Sequence, residues 1–106
     1  MIKCTCFIQE GQSPDRNRTG IQEGMSKFSS EAFGQDTEIS WICVAAGNGF
    51  TASKPSTSSV VSMTAAETLD SQRREQMLRK LVAMWTTVTG CSVDEIVAVI
   101  ADPIAS

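Results

Sequence analysis

Shifted by 57 positions against itself, the chain falls into step with its own first half. Glu10 meets Glu67 and Arg16 meets Arg73, while Ser13 coincides with Asp70, both being residues whose side chains cap helix starts. Ile21, Met25 and Phe28 fall on Leu78, Val82 and Trp85, and Glu38-Ile39 falls on Glu95-Ile96. Identities are few, but cap, apolar stripe and strand start keep one register without a gap. Self-similarity of this period marks one supersecondary unit used twice, so whatever one copy folds into, the other must match.

The second copy is the easier to read. From Asp70 to Thr89, apolar residues recur at Leu78, Leu81, Val82, Trp85 and Val88, with Met77 and Met84 widening the stripe. Steps of three and four place these on one helix face, broad enough to be buried. Asp70 is the expected N-cap and Gly90 the expected stop, since glycine enters the left-handed cap without penalty. Short β-branched runs, Ser59 to Thr64 and Ile96 to Ala101, flank the helix, so the unit is β-α-β.

In the first copy Ile2 to Ile8 is extended in character and Glu10-Gly11-Gln12 turns the chain. Ser13-Pro14-Asp15 starts a helix with a capping hydroxyl, an early proline and an acid at the positive end. Ile21, Met25, Phe28 and Ala32 form its apolar stripe, and Gly34 is its expected cap. Gly20 and Gly24 lie one turn apart inside it. Each weakens a helix by ~1 kcal/mol relative to alanine, so they mark either a mildly weak helix or a close approach by another segment. Ile39 to Ala46 is the second strand, Gly47-Asn48-Gly49 a turn, and Thr51 to Ser59 a connecting loop or short edge hairpin.

At 106 residues the chain is expected to be a single domain, 1–106, with a pseudo-repeat of 1–50 and 59–103 joined by a loop at 51–58. A β-α-β crossover gives parallel strands and is right-handed. Two such units side by side predict an α/β (α+β) fold, a four-stranded sheet with two helices on one face. No third long helix is available for the other face. Association with further copies is the expected cover, with Trp41, Ile42 and Val99 among the residues covered.

Composition narrows the function. A net charge of −3 with scattered basic residues gives no sign of nucleic acid, and Arg73, Arg74, Arg79 and Lys80 read as the solvated face of one helix. No apolar run approaches the ~18 residues of a membrane span, and Met-Ile-Lys-Cys-Thr-Cys is not a secretory leader, so a cytoplasmic protein is expected. Cys4, Cys6, Cys43 and Cys91 are expected to be reduced, buried and inert. The chain has no histidine, which argues against a metal site and removes Ser-His and Cys-His catalysis. No cofactor is expected. Acid–base chemistry would fall to carboxylates, a lysine, a thiol or the chain's own amino group.

The pattern resembles the tautomerase superfamily in its fused form, two β-α-β units in one chain, over roughly Ile2 to Pro103. The best local match is Phe7-Ile8-Gln9-Glu10-Gly11-Gln12-Ser13-Pro14, similar to the Leu-Glu-Gly-Arg-Ser opening of 4-oxalocrotonate tautomerase. Gly47-Asn48-Gly49-Phe50 is similar to that family's hairpin. The resemblance implies a homotrimer and keto–enol tautomerisation of small 2-oxo acids. In the family an N-terminal proline is the base and arginines grip the substrate carboxylate, a geometry that suits the guanidinium fork. Here the proline position is Ile2, and a bulky residue after the initiator leaves Met1 in place. Gln12 and Ser40 stand where the family has arginines, and their second-half counterparts Leu69 and Val97 are uncharged. Phe50 is retained, and Asp102 lies close to where dehalogenase relatives keep an acid.

Two readings follow. In the first, an enzyme, the Met1 amine is the base, Asp102 activates water, and Ile2, Gln12, Ser40, Phe50 and Lys54 surround a small carboxylate-bearing substrate. In the second, a trimeric domain has kept the fold, lost the amine chemistry and binds a small ligand or partner; Asp102 is then a strand-end turn, Lys54 a solvated charge and Phe50 hairpin packing.

Overall fold

The computed structural model describes residues 1–104; Ala105 and Ser106, the end of the expected tail, lie outside the described residues. Four strands form one sheet: β1 (Ile2–Gln9), β2 (Thr37–Val44), β5 (Ser59–Thr64) and β6 (Ile96–Ala101), in the order β2-β1-β5-β6. β1 pairs with β2 and β5 with β6 in parallel, whereas β1 and β5 meet antiparallel at the centre. The two β-α-β units are therefore related by a pseudo-twofold axis between β1 and β5. A two-stranded hairpin, β3 (Phe50–Thr51) with β4 (Lys54–Pro55), occupies the connection between them.

The crossover helix of the second unit, α3 (Ser71–Thr89), starts and stops as expected. The Asp70 carboxylate accepts from the Arg73 amide at 2.7 Å, and Gly90 adopts the left-handed cap at φ 73°. The first unit differs. Its helix breaks at Asn17 into α1 (Ser13–Arg16) and α2 (Arg18–Phe33), and the Ser13 hydroxyl donates to the Thr89 carbonyl instead of capping. That bond ties the start of one helix to the end of the other.

The repeat is less regular than the fixed offset predicts. Ile2 pairs with Thr37, but its counterpart Ser59 pairs with Ile96, so the second unit is two residues longer between paired positions. The excess lies in a short 3-10 turn, Val93–Glu95, closed by a reciprocal Ser92–Glu95 capping box. Thr37, not Ile39, is thus the counterpart of Ile96. The apolar stripe of α3 is also turned by one position. Met77, Leu81 and Trp85 are buried, while Leu78 and Val82 are only partly so.

The core lies between the helices and one sheet face. Ile2, Cys4, Cys6 and Ile8 of β1 and Val61 and Met63 of β5 meet Ile21, Met25 and Phe28 of α2 and Leu81 and Trp85 of α3. Cys4 and Cys6 point to the same side, as expected of positions two apart, with sulfurs 3.9 Å apart. Trp41 also faces the helices, packed against the core with the Arg18 guanidinium 5.5 Å above its ring, and so is not part of the bare face. The helices run antiparallel, and Gly20 and Gly24 mark a close approach: a Cβ on Gly24 would stand 2.6 Å from the Met84 sulfur.

The opposite sheet face carries no element of this chain. The strand register sets Ile42, Phe7, Val60 and Val97 side by side in one apolar row. Phe7, Ile42, Val97 and Val99 are 38–54% exposed.

Candidate functional site

The central antiparallel pair gives the sheet two unlike ends. At one, β1 and β2 begin and β5 and β6 finish. The Ile2 amide donates to the Asp36 carbonyl at 2.9 Å, and the buried Thr37 hydroxyl donates to the Ile2 carbonyl at 3.0 Å. These bonds fix the first residues of β1. Ile2 turns its side chain into the core at 3% exposure, whereas Met1, carrying the α-amine, is 71% exposed. Across the same end Asp102 follows β6. Its Oδ1 accepts from the Leu69 amide at 3.0 Å and from the Arg74 guanidinium. The Leu69 amide first, and Arg74 after it, hold the Asp102 carboxyl below its ordinary value. Asp102 thereby clamps the approach to α3 onto the end of β6. The Ser26 hydroxyl, then the Thr37 amide, lower the Asp36 carboxyl at this end too.

At the other end the hairpin leads into the start of β5. Its turn residues Ala52 and Ser53 both have positive φ, 51° and 63°, the conformation that a tight two-residue hairpin requires and that non-glycine residues rarely adopt. Three hydrogen bonds hold it there. The Ser56 amide donates to the Gly49 carbonyl at 2.7 Å, the Thr51 and Ser56 hydroxyls meet at 2.6 Å, and Gln9 Nε2 donates to the Ser58 carbonyl at 3.2 Å. Gly49 leaves room for that Gln9 amide, since a Cβ there would lie 3.0 Å from it. Phe50 is 66% exposed, and Lys54 and Gln12 are exposed as well.

The expected site residues are therefore distributed. Met1, Ile2 and Asp102 gather at one end; Gln12, Phe50 and Lys54 gather at the other. Ser40 sits midway along the bare face, paired with Thr5. The eight residues of β1 separate the ends by about 23 Å at ~3.3 Å per residue. At that separation a site using both sets must be built between copies.

One residue at the hairpin end escaped the sequence reading. Ser59, the pseudo-twofold counterpart of Ile2, is 1% exposed, and its hydroxyl has no hydrogen-bond partner among the described residues. The 57-residue offset that pairs it with Ile2 was the available signal.

This architecture is the tautomerase-superfamily fold in its fused form. Among solved structures it is similar to native Ps01740, at TM-score 0.85 and 19% identity, covering 97% of this chain and 95% of that one. It is also similar to a fused 4-OT symmetric trimer at TM-score 0.81 and 13% identity, covering 95% and 85%. A third similar structure is N1, a member of the cis-3-chloroacrylic acid dehalogenase family, at TM-score 0.76 and 10% identity, covering 95% and 74%. No family model matches the sequence, and no curated protein matches it. Among the described residues, no helix is long and apolar enough to cross a membrane.

Proposed function

We propose that this chain is a tautomerase-superfamily protein that works as a homotrimer on a small carboxylate-bearing molecule, with keto–enol isomerisation of a 2-oxo acid as its reaction. The observation that carries the reading is the exposed amino terminus at the head of β1, one residue before Ile2, which holds the position of the superfamily's catalytic proline. The Met1 amine takes the enol proton and a proton is returned to the neighbouring carbon, so the substrate changes form with no net gain or loss. Lys54 and Gln12 at the hairpin end, brought by a neighbouring copy, hold the carboxylate, and Phe50 packs on the carbon chain. The apolar row of Ile42, Phe7, Val60 and Val97 supports assembly through the bare sheet face, as do structures of fused 4-OT described as trimers.

The test is ketonisation of phenylenolpyruvate by purified protein, beside a sample whose N-terminal amine is selectively blocked. Turnover lost on blocking supports Met1 as the proton carrier. Turnover equal in both samples, or absent from both, refutes it.

A second reading, a ligand- or partner-binding domain without catalysis, is favoured by Asp102. Its carboxylate is already engaged by Leu69 and Arg74, so it is held for structure and not poised over water. Asp102→Ala with unchanged turnover would remove it from the chemistry.

A further inference from the structure

The helix layer carries a cavity that the sheet-end chemistry does not use. Where Gly20 and Gly24 face Val88 and Met84, α2 and α3 are in tight contact. Further along, between the C-terminal half of α2 and the N-terminal half of α3, a groove of about 210 Å³ opens. Its floor is apolar, formed by buried Phe28 and Met77 with Ala32. Its α3 rim carries Arg73 and, two turns along, Lys80; its α2 rim carries Glu31.

The two cations are not equivalent. Arg73 is partly committed, donating to the Ala32 carbonyl at 3.4 Å and to Glu67 at 3.2 Å. The bond to Ala32 holds one wall of the groove to the other. Lys80 makes no ion pair among the described residues. An apolar floor beside an uncommitted ammonium suits a molecule with an apolar body and one anionic end. A groove of this size suits a short chain or a single ring. The groove lies on the opposite side of the molecule from the bare sheet face, so assembly through that face leaves it open.

We propose that this groove binds a small monocarboxylate through its apolar body on Phe28, Ala32 and Met77 and its carboxylate on Lys80. The proposal is independent of turnover at Met1.

The test is a titration of the full-length protein with hexanoate, followed by amide NMR shifts, with 1-hexanol and acetate as controls. The expected result is saturable movement of the amides of residues 28–32 and 73–80, with hexanoate tighter than either control. Lys80→Gln is expected to weaken hexanoate about fivefold, as for loss of one partly exposed charged contact, and to leave hexanol unaffected. The exposed Lys80 position keeps the variant folded, which its unchanged spectrum elsewhere verifies. Hexanol binding as tightly as hexanoate, an unchanged hexanoate affinity in Lys80→Gln, or no saturable shift would each overturn the proposal. Shifts confined to residues 1–3 and 36–38, or to the hairpin, would overturn it too and place carboxylate binding at a sheet end.

Discussion

Replacing Ser59 by alanine is expected to stabilise the protein. The Ser59 hydroxyl is buried, at 1% exposure, without a partner among the described residues. Leaving such a group unsatisfied costs about 1–3 kcal/mol of desolvation. Removing one oxygen opens a void of roughly 12 Å³, which at ~24 cal/mol per Å³ returns only about 0.3 kcal/mol of penalty. The backbone is unaffected, because alanine accepts the extended conformation of a strand start. The net expectation is a gain of about 0.7–2.7 kcal/mol. Urea unfolding, followed by circular dichroism and tryptophan fluorescence, measures it. Wild type and variant are compared at one protein concentration, since the stability of an assembled protein depends on concentration. A higher midpoint at unchanged slope is the expected signature. A midpoint that falls, or does not move, would refute the reasoning, because it would mean the hydroxyl has a partner that alanine cannot replace.

Three further outcomes are expected. Phe7→Lys, in the middle of the apolar row, puts an ammonium where a second copy would pack; light scattering should then give the monomer mass with unchanged far-ultraviolet dichroism, and an unaltered mass would exclude this face from assembly. Gly24→Val drives a branched side chain into Met84 and should cost about 1–3 kcal/mol by overpacking; an unchanged unfolding midpoint would show that the helices are not in tight contact there. Asp102→Asn concerns pH. The folded carboxyl titrates below its ordinary value, so its stabilisation is present in full above about pH 4 and disappears as pH falls through the folded value. The variant should be less stable than wild type at neutral pH, with the gap closing in acid; a gap independent of pH would show that the charge on Asp102 is not what clamps Leu69 and Arg74.

Much of the fold was legible because local chemistry and tertiary packing agree. Asp70 and Gly90 bound α3 as their side-chain and backbone preferences require, and Gly34 ends α2 at φ 68°. The alternation of Ile2, Cys4, Cys6 and Ile8 is the buried face of β1. What failed depended on partners distant in sequence. Ser13 looked like a cap, but the Thr89 carbonyl lies within its reach, and Gln12 became the N-cap without a side-chain bond. Trp41 looked like a residue awaiting cover from another copy. Its parity along β2 instead sends it toward the helices, where Arg18 stacks on it. The longer turn before β6 was hidden because Glu38-Ile39 and Glu95-Ile96 match by identity while hydrogen-bond register places Thr37 opposite Ile2. The site was less legible than the fold. Met1, Gln12, Phe50, Lys54 and Asp102 are candidates chosen by their place along the chain, and position along a chain does not say which end of a sheet a residue reaches. That follows from the antiparallel meeting of β1 and β5.

The same meeting has a consequence for how the protein can change. In an assembly of separate identical units, one substitution alters every end at once, and any compromise is imposed on all of them. Joining the halves in one chain removes that coupling. Here one end has a buried isoleucine and a clamped carboxylate, while the other has a buried serine just after a hairpin. Each can be rewritten while the other stays fixed, so the fold can hold the residues of one end in place and vary those of the other.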